Sequence, residues 1–374
     1  MEIAFCLYKY FPFGGLQRDF IQILSACQKR GHQIRVYTMV WDGEIPAHIN
    51  VIIIPVKAHT NHGRNEAFYH EVKIHLTQHP ADVIVGFNKM PGLDIYYAAD
   101  VCYAEKVEKE KGFFYKLTKR YKHYIAYEKA VFDVNSHTKL LMLTQHQIDD
   151  FKKHYKTPDA RFYLLPPGID LSRKYDQQIA NAKQIYRKKN AISKDQFLLL
   201  QVGSDFKRKG VDRTLKSIAS LPNSIKNKTM LMVVGQDSPA RYQRLAKKLA
   251  IDKQVLFFHG RNDIAELMAA ADVLIHPAYQ EAAGIVLIEA IAAGLPVITT
   301  EICGYAPYIK HADCGIVINE PYRQKNLNNA LATSLANESL LNQWAKSARH
   351  FADTQDLYSL PEKATDIILG CQHA

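Results

Sequence analysis

The chain has 374 residues, a length that predicts two domains because it exceeds what one ordinary hydrophobic core serves. Its composition, 47% hydrophobic and 23% charged, is typical of a globular protein, and no run of 18 apolar residues predicts a membrane-spanning helix. The net charge of +11 divides into +5 for residues 1–165 and +6 for the rest, so a single basic tail for nucleic acid is not supported.

The cysteines and the first residues indicate the compartment. The six cysteines are scattered without a C-x-x-C pair, which is typical of reduced thiols and predicts neither a disulfide framework nor a zinc site. The opening "MEIAFCLYKYFPFGG" lacks the basic and long apolar regions of a signal peptide. We therefore expect a cytoplasmic protein.

The first half alternates short apolar runs with helical patterns. Strands are predicted at "EIAFCLY" (2–8), "QIRVYTM" (33–39), "VIIIPV" (51–56), "DVIVGF" (82–87) and "KLLMLT" (139–144), with a helix at "DFIQILSACQKRG" (19–31). Continuous apolar strands separated by helices are typical of a parallel sheet covered on both faces. We interpret residues 1–165 as one α/β domain.

A glycine pair follows the first predicted strand, in "FPFGGLQRDF". Gly14 and Gly15 there could free backbone N–H groups at a helix start for a phosphate, although a simple tight turn explains the pair equally well. The stretch fits neither G-x-G-x-x-G nor G-x-x-x-x-G-K-[ST], so it does not predict a dinucleotide or P-loop site.

Residues 103–132, "YAEKVEKEKGFFYKLTKRYKHYIAYEKAVF", form what we call the basic aromatic segment. It holds eight Lys/Arg against four Asp/Glu, and eight aromatics. Such a segment suits an anionic membrane surface, with aromatics among the headgroups and with the cations Lys116, Lys119, Arg120 and Lys122 outward. An ordinary helix with a solvated basic face and aromatics in the core is the alternative.

The chain changes character at "RFYLLPPGID" (161–170), where two prolines and a glycine interrupt regular structure. We place the domain boundary at 165/166, with a second domain over 166–351 and a C-terminal helix, about 352–374, that packs back on the first. The second domain has a further set of predicted strands: "FLLLQVG" (197–203), "MLMVVG" (230–235), "VLFFHG" (255–260), "DVLIHP" (272–277), "PVITT" (296–300) and "GIVI" (315–318). The fold class is therefore α/β, two doubly wound Rossmann-like domains facing across a cleft, with ligands beyond the carboxyl ends of the strands.

Charged residues lie where two strands of the second set end. "GSDFKRKG" follows the first of them, and its Arg208 and Lys209 are interpreted as phosphate ligands rather than as a solvated charge run. "EAAGIVLIE" follows the fourth, and its Glu281 and Glu289 stand in an apolar stretch where a carboxylate needs partners.

The spacing of the two glutamates argues against a hydrolase pair. Eight residues on one helix correspond to a rise of about 12 Å, longer than the roughly 5–9.5 Å between glycosidase carboxylates. Two acids that hold different hydroxyls of one extended ligand fit better, with Gly284 starting a helix whose N–H groups meet a diphosphate between them. A surface Glu281 and a structurally neutral Glu289 remain the alternative.

No metal site or other cofactor is expected. The histidines of the first half lack H-E-x-x-H spacing, and the chain has no D-x-D, the usual ligand of a divalent cation that accompanies a nucleotide-sugar diphosphate. Neutralisation of a diphosphate is then expected from Arg, Lys and helix N-termini.

These motifs resemble the retaining glycosyltransferases of the GT-B fold, in family 4, which is marked by E-x7-E. "LPPGID", "VGSDFKRKG", "VVGQD", "FHGRND", "AAADVLIHP" and "EAAGIVLIE" follow that family's landmarks in order. In the N-terminal half, "CLYKYFPFGGLQRDF", "HTNHGRN", "GFNKMPGLD" and "AADVCYAEK" are similar to the enterobacterial glucosyltransferases of the lipopolysaccharide core. The resemblance implies transfer of glucose from UDP-glucose to an inner-core heptose with retention of configuration.

The resemblance also implies roles for single residues. Glu281 would hold the glucose hydroxyls and Glu289 the ribose, Arg208 and Lys209 would meet the diphosphate, and Gly15 would close over it. The remaining donor contacts would be backbone donors of Ala283, Gly284, Ile285 and Val286, Arg261 beside the uracil and Arg173 on a phosphate.

Two aspartates of the first domain complete the implied site, and one of them departs from the family pattern. Asp19 is the candidate for the acceptor, and Asp100 stands where many members have a histidine near the sugar. Front-face displacement is the expected mechanism, with stabilisation of the departing UDP by cations and N–H groups.

The implied partners are a UDP-sugar, a lipopolysaccharide acceptor and, because that acceptor is a glycolipid, the anionic cytoplasmic face of the inner membrane. Another nucleotide sugar or acceptor, a phosphorylase or synthase on the same fold, and a non-catalytic sugar-nucleotide-binding module remain the alternatives.

Overall fold

The chain forms two compact units. The computed structural model describes residues 1–12, 14–171, 177–190 and 192–371, with the backbone alone for 177–182. The first unit comprises Met1–Gly168 together with Ser359–Ala374, and the second comprises Ile169–Tyr358. The chain therefore passes between the units twice.

The first unit is built on a parallel sheet that has seven strands within the described residues. Their order is β5-β3-β1-β6-β7-β8-β9. A separate small sheet pairs β2 with β4. The strands are β1 (Glu2–Cys6), β2 (Lys9–Tyr10), β3 (Gln33–Thr38), β4 (Val40–Trp41), β5 (Ile49–Ile53), β6 (Val83–Gly86), β7 (Ile95–Ala98), β8 (Lys139–Met142) and β9 (Phe162–Leu164).

Helices cover this sheet. They are α1 (Gly15–Lys29), α2 (Asn61–Gln78), α3 (Tyr103–Glu110), α4 (Lys119–Phe132), α5 (Gln145–Tyr155) and, from the end of the chain, α15 (Leu360–Leu369). A single 3-10 turn, Phe113–Leu117, stands between α3 and α4. The buried faces of α1, α2 and α4 carry apolar side chains such as Phe20, Phe68 and Phe132, which explains their packing on the sheet.

The second unit has its own parallel sheet, with six strands in the described part of the chain. Their order is β12-β11-β10-β13-β14-β15. Successive residues of β10 belong to different core clusters, Leu198 and Leu200 to one and Leu199 to the other, so the sheet is buried on both faces. The strands are β10 (Phe197–Val202), β11 (Thr229–Val234), β12 (Val255–Phe258), β13 (Val273–His276), β14 (Val297–Thr300) and β15 (Gly315–Ile318).

The helices of the second unit lie before, between and after these strands in the chain. They are α6 (Gln177–Lys189), α7 (Val211–Ala219), α8 (Asn223–Lys226), α9 (Ala240–Lys248), α10 (Ile264–Ala270), α11 (Ile285–Ala292), α12 (Ala306–His311), α13 (Gln324–Leu335) and α14 (Glu338–Thr354). None of the helices in the described ranges is both long and apolar enough to cross a bilayer.

Both units have the predicted α/β character, and every predicted strand is present. The sequence interpretation left out β2, β4, β7 and β9. It was wrong at β9, because Phe162–Leu164 was taken as part of the link whereas it pairs with β8 as the edge strand of the first sheet. The structure divides the chain after Gly168, against the boundary at 165/166 expected from the prolines.

The last helix returns to the first unit. Helix α15 packs on α1, where Asp366 forms a salt bridge of 2.6 Å with Arg30 and Thr365 contacts the Cys27 thiol at 3.7 Å. Its inner face buries Leu360, Ala364 and Ile368. Helix α14, by contrast, belongs to the second unit, so the returning segment starts at Ser359 rather than near 352.

Candidate active site

The strand order of the second unit marks a site. The chain adds β11 and β12 on one side of β10 and β13, β14 and β15 on the other, so the order reverses between β10 and β13. In doubly wound sheets, ligands bind beyond the carboxyl ends of the strands at this reversal. The loops that leave β10 and β13 carry Lys209 and Glu281.

A glycine lets the two loops touch. Gly210 has a φ of +71°, and a Cβ atom there would lie 2.1 Å from the carbonyl oxygen of Pro277. Any side chain at this position would therefore push the β10 loop off the β13 loop. Tyr279 N–H donates to the Arg208 carbonyl at 2.8 Å, which fixes the two loops in register.

The predicted phosphate and sugar ligands meet at this contact. The Lys209 ammonium forms a salt bridge with Oε2 of Glu281, and Arg208 Nη1 lies 3.3 Å from Oε1 of the same carboxylate. The side chains of Lys209 and Glu281 are only 11% and 10% exposed, so this pair is largely shielded from water. Arg208 also donates to the Gln280 carbonyl at 3.2 Å.

A histidine lies beneath the pair. His276 ends β13, is fully buried, and has Nε2 at 3.5 Å from Oε2 of Glu281. Burial lowers the pKa of the His276 imidazole, so it stays neutral beside the cations. Burial alone would raise the pKa of Glu281, but His276, Lys209 and Arg208 together hold that pKa well below its ordinary value, so the carboxylate stays ionised.

Glu281 precedes the following helix rather than lying on it. It forms an isolated bridge with Cys303, and Gly284, with a φ of +87°, is the N-cap of α11. The first-turn amides, those of Ile285 and Val286 among them, have no carbonyl partner within the helix and point toward its N-terminus, where an anion is favoured. The rise of about 12 Å expected for two acids on one helix therefore does not describe the distance between Glu281 and Glu289.

Two other predicted residues have defined surroundings near this loop. Glu289 lies in the second turn of α11 and is 8% exposed. The Ala283 carbonyl accepts from the Tyr305 amide at 2.8 Å, which holds the turn before Gly284.

Arg261 belongs to a different part of this sheet. It follows β12, the strand at the sheet edge, and its guanidinium makes two contacts with Asp263, Nε to Oδ1 at 2.7 Å and Nη2 to Oδ2 at 2.5 Å. Its guanidinium also lies 4.9 Å from the centre of the Phe258 ring. Arg173 lies outside the described residues.

Sequence reasoning missed two buried polar residues of this site, His276 and Arg213. Arg213 is sandwiched between the rings of Tyr279 and Tyr322, at 3.5 and 3.6 Å, and donates to the carbonyls of Pro277 and Ala278. It therefore shapes the loop that carries Glu281. The sequence signal for His276 was a histidine at the end of the apolar strand "DVLIH". Arg213, in the first turn of a helix, had no such signal in the sequence.

The first unit holds three predicted site residues: Gly15 for the donor diphosphate, Asp19 for the acceptor and Asp100 near the sugar. Gly15 is the exposed first residue of α1, and a Cβ atom there would meet no protein atom within 4 Å, so packing does not demand glycine. Asp19, on the same helix, is buried and accepts from the Tyr97 hydroxyl at 2.7 Å. Asp100 is exposed after β7, and its carbonyl accepts from Gln147 at 3.0 Å.

The basic aromatic segment is half exposed and half core. Phe113, Phe114 and Leu117, in the 3-10 turn, are 72%, 82% and 61% exposed, and the four predicted cations beside them are exposed too. Tyr127 and Phe132, at the end of α4, are buried. The interpretation of the aromatics as core residues therefore holds at the end of α4, and attachment of the exposed part to a membrane stays a prediction.

One group of possible metal ligands is found among the described residues. Glu105, Glu108 and His154 of the first unit place ligand atoms within 4.8 Å of one another. Lys153 and Lys109 contact the Glu105 carboxylate at 2.7 and 3.1 Å, so two ammonium groups already balance it. The group lies in the first unit, whereas Lys209 and Glu281 belong to the second.

Comparison with known proteins agrees with this architecture. The family described as "Glycosyltransferase Family 4" matches residues 13–173, and "Glycosyl transferases group 1" matches residues 182–351. The chain is 62% identical over 370 residues, 99% of each protein, to the lipopolysaccharide glucosyltransferase WaaG of Escherichia coli K12.

Solved structures give the same picture. The crystal structure of WaaG, a glycosyltransferase involved in lipopolysaccharide biosynthesis, superposes with a TM-score of 0.95 at 62% identity over 98% of this chain and 100% of that one. The Anabaena protein HepE, solved with UDP-glucose, has a TM-score of 0.75 at 17% identity, over 99% of this chain and 100% of that one, and shares the fold.

Proposed function

Because the chain belongs to glycosyltransferase family 4, among the lipopolysaccharide glucosyltransferases of GT-B fold, we propose that it transfers glucose from UDP-glucose to a heptose of the lipopolysaccharide inner core, with retention and without a metal ion. The observation that carries the proposal is the meeting of Arg208, Lys209, Glu281 and the α11 N-terminus at the strand-order reversal. These groups match a donor that combines a diphosphate with a sugar.

The cations and the helix amides act on the leaving group. Lys209, Arg208 and the N–H groups of Ile285 and Val286 would bind the diphosphate and stabilise the charge that develops on UDP. They supply the neutralisation that a divalent cation gives in sites with D-x-D. The Gly15 amide would add a donor from the first unit.

The carboxylates position the donor. Glu281, ionised by its cationic surroundings, accepts hydrogen bonds from glucose hydroxyls, and Glu289 accepts from the ribose. Arg261 would stand beside the uracil, and Arg173 remains a proposed phosphate contact. Because Glu281 is assigned to hydroxyl binding, the acceptor oxygen attacks from the face that UDP leaves, and an oxygen of the departing phosphate takes the acceptor proton. Asp19 is the candidate on the acceptor side, and Asp100 stands where many members of the family have a histidine near the donor sugar.

We further propose that the protein works at the cytoplasmic face of the inner membrane. The exposed Phe113, Phe114 and Leu117 with their neighbouring cations support attachment to an anionic surface. The glycolipid nature of the acceptor requires such a location.

A donor panel tests the proposed function. Radiolabelled UDP-glucose, UDP-galactose and UDP-N-acetylglucosamine are each offered with lipopolysaccharide truncated at the inner-core heptose. We expect labelled glycolipid and free UDP from UDP-glucose, an α-linkage in the product by NMR, and unchanged rates in EDTA. Transfer from another donor, phosphate-dependent cleavage without glycolipid, or binding without turnover would each contradict the proposal.

A further inference from the structure

A polar pocket lies at the strand-order reversal of the first sheet. The order of that sheet reverses between β1 and β6, and the pocket has a volume of about 580 Å³. Its lining includes Tyr8 after β1, Asn88 and Lys89 after β6, and Asp100 after β7. Position and size are those of a small-ligand site.

The inner wall of the pocket is held by a buried ion pair. The Lys89 ammonium contacts Oε2 of Glu128 at 2.5 Å and donates to the Val101 carbonyl at 3.1 Å. Glu128 is fully buried and also accepts from the amides of Tyr103 and Ala104, at 2.8 and 2.9 Å, which fixes the start of α3. The charge of Lys89 is thus balanced inside the protein.

The outer wall is cationic and aromatic. It comes from the basic aromatic segment, where Lys111 and Arg120 lie 5.7 and 5.8 Å from the ring centres of Tyr115 and Tyr124. Both cations are exposed, and neither forms a salt bridge with any carboxylate that the structure describes. The lining also holds two carboxylates, Asp100 and Glu110, which are outnumbered by the cations Lys106, Lys111 and Arg120. The pocket therefore presents net positive charge beside ring faces.

Lys111 and Arg120 differ from the other cations of the segment. Lys116 and Lys119 are equally exposed but do not line the pocket. Cations that only attract anionic lipid headgroups do not need to line a pocket. A ligand that has an acidic group and a sugar ring binds best in a pocket that offers both cations and aromatic rings. Cations recognise the acidic group, and tyrosine faces pack against the apolar face of a sugar.

We propose that this pocket binds an acidic group, a phosphate or a carboxylate, carried by a sugar of the acceptor, with Lys111 and Arg120 as its cationic contacts. The proposal rests on the transferase function proposed above. It gives Lys111 a role in acceptor selection that is separate from membrane attachment, and gives Arg120 that role beside its predicted place at the membrane surface.

The test compares two double variants of equal charge change, Lys111→Gln with Arg120→Gln and Lys116→Gln with Lys119→Gln. Acceptor lipopolysaccharide ending in heptose is presented in neutral detergent micelles. We expect the pocket variant to raise the KM for acceptor at least about tenfold, since loss of a single charge-assisted contact gives that much and the variant loses two, with kcat and the KM for UDP-glucose unchanged. The control variant should stay within about twofold of wild type, since its lysines do not line the pocket.

Two further acceptors identify the acidic group, one treated with phosphatase and one with its carboxyl groups reduced to alcohols. Wild type should lose affinity for only the one that lacks the recognised group, and the pocket variant should not respond to that change. Equal effects of the two double variants, or a difference seen only with anionic vesicles, would overturn the proposal and assign the cations to lipid headgroups.

Acceptor binding is also measured directly, by calorimetry in the same micelles with UDP present. Absence of glucose transfer by wild type would contradict the proposed function. The binding measurement would still decide whether the pocket binds the acceptor. Equal acceptor affinity of wild type and the pocket variant would reject the proposed role of Lys111 and Arg120.

Discussion

Lys209 and Glu281 each neutralise the other across the contact of two loops. A single buried charge at this position would be costly, and the pair lets both groups stay ionised in a shielded place. In the proposed function, Lys209 would exchange the carboxylate for phosphate oxygens of the donor, and Glu281 would then accept hydrogen bonds from the sugar hydroxyls. The site is thereby prepared for a negatively charged ligand before that ligand binds.

Lys209→Ala should lower kcat at least about 10²-fold, because removal of one contact to a developing charge costs roughly 3 kcal/mol. Lys207→Ala is the matched control, since Lys207 belongs to the same loop but is exposed, and it should leave kcat within about twofold of wild type. Steady-state kinetics with UDP-glucose measure both variants. A similar loss in the two variants, or activity that EDTA abolishes and magnesium restores, would contradict the role of Lys209.

Replacement of each of the two glutamates should lower the affinity for a different part of the donor. Glu289→Gln should weaken the binding of UDP itself, because the ribose is present in both ligands, whereas Glu281→Gln should spare UDP and weaken UDP-glucose by about tenfold, roughly 1.4 kcal/mol. Titration calorimetry of each variant with UDP and with UDP-glucose gives the four affinities. Equal loss of UDP affinity in both variants would reject the assignment of Glu281 to the sugar and Glu289 to the ribose.

Local sequence revealed the residue types of the site but only some of its contacts. The E-x7-E spacing identified both acids, yet the Glu281 partners Arg208 and Lys209 stand more than 70 positions away, and only the meeting of two strand ends brings them together. Arg261 shows the reverse case. Its partner Asp263 is two residues on, and that pair could be read from "RND" directly.

At the scale of elements, strand prediction succeeded where an apolar run was continuous. All six strands of the second sheet contain such runs, and the four inner strands, β11, β10, β13 and β14, are largely buried. Strand β7, "IYYA", has two tyrosines where the predicted strands have mainly aliphatic residues, and β9 has only three residues and runs into two prolines. Neither therefore stands out as a continuous aliphatic run.

The basic aromatic segment should attach to vesicles by two separable means. Replacing Phe113, Phe114 and Leu117 by Ser should remove the binding that persists at high salt, because these exposed apolar side chains gain free energy on burial among headgroups. Replacing Lys116, Lys119, Arg120 and Lys122 by Gln should remove the salt-sensitive part, about 1 kcal/mol per cation. Co-sedimentation with anionic vesicles at low and high salt measures both.

The control for the vesicle experiment is Ile74→Ser on α2, which removes another exposed apolar side chain, 55% exposed, outside the segment. It should bind vesicles as wild type does. All variants should keep wild-type affinity for UDP. Unchanged vesicle binding by both multiple variants would show that the segment is not the attachment site.

At the scale of the whole molecule, α15 completes the first unit from the far end of the chain. Ile368→Ala should lower the unfolding free energy of that unit by about 2–5 kcal/mol, since Ile368 is fully buried and its loss leaves a cavity. Ile367→Ala, at a half-buried position of the same helix, should cost less. Hydrogen exchange read by mass spectrometry should show faster exchange in β1 and β3 and unchanged exchange in β10 and β11. Equal acceleration in both units would mean that α15 stabilises the molecule as a whole.

The return of α15 also sets an order of events during synthesis. Ribosomes add roughly 5–20 residues per second, so about 10–40 seconds pass between completion of Gly168 and the arrival of Ser359. Through that interval the surface of α1 that receives Leu360, Ala364 and Ile368 faces water without its cover, while the second unit, which is continuous in the chain, can fold at once. The domain that is translated first is thus the last to complete its fold. A nascent chain halted before Ser359 would expose an apolar surface on α1 that a chaperone could bind.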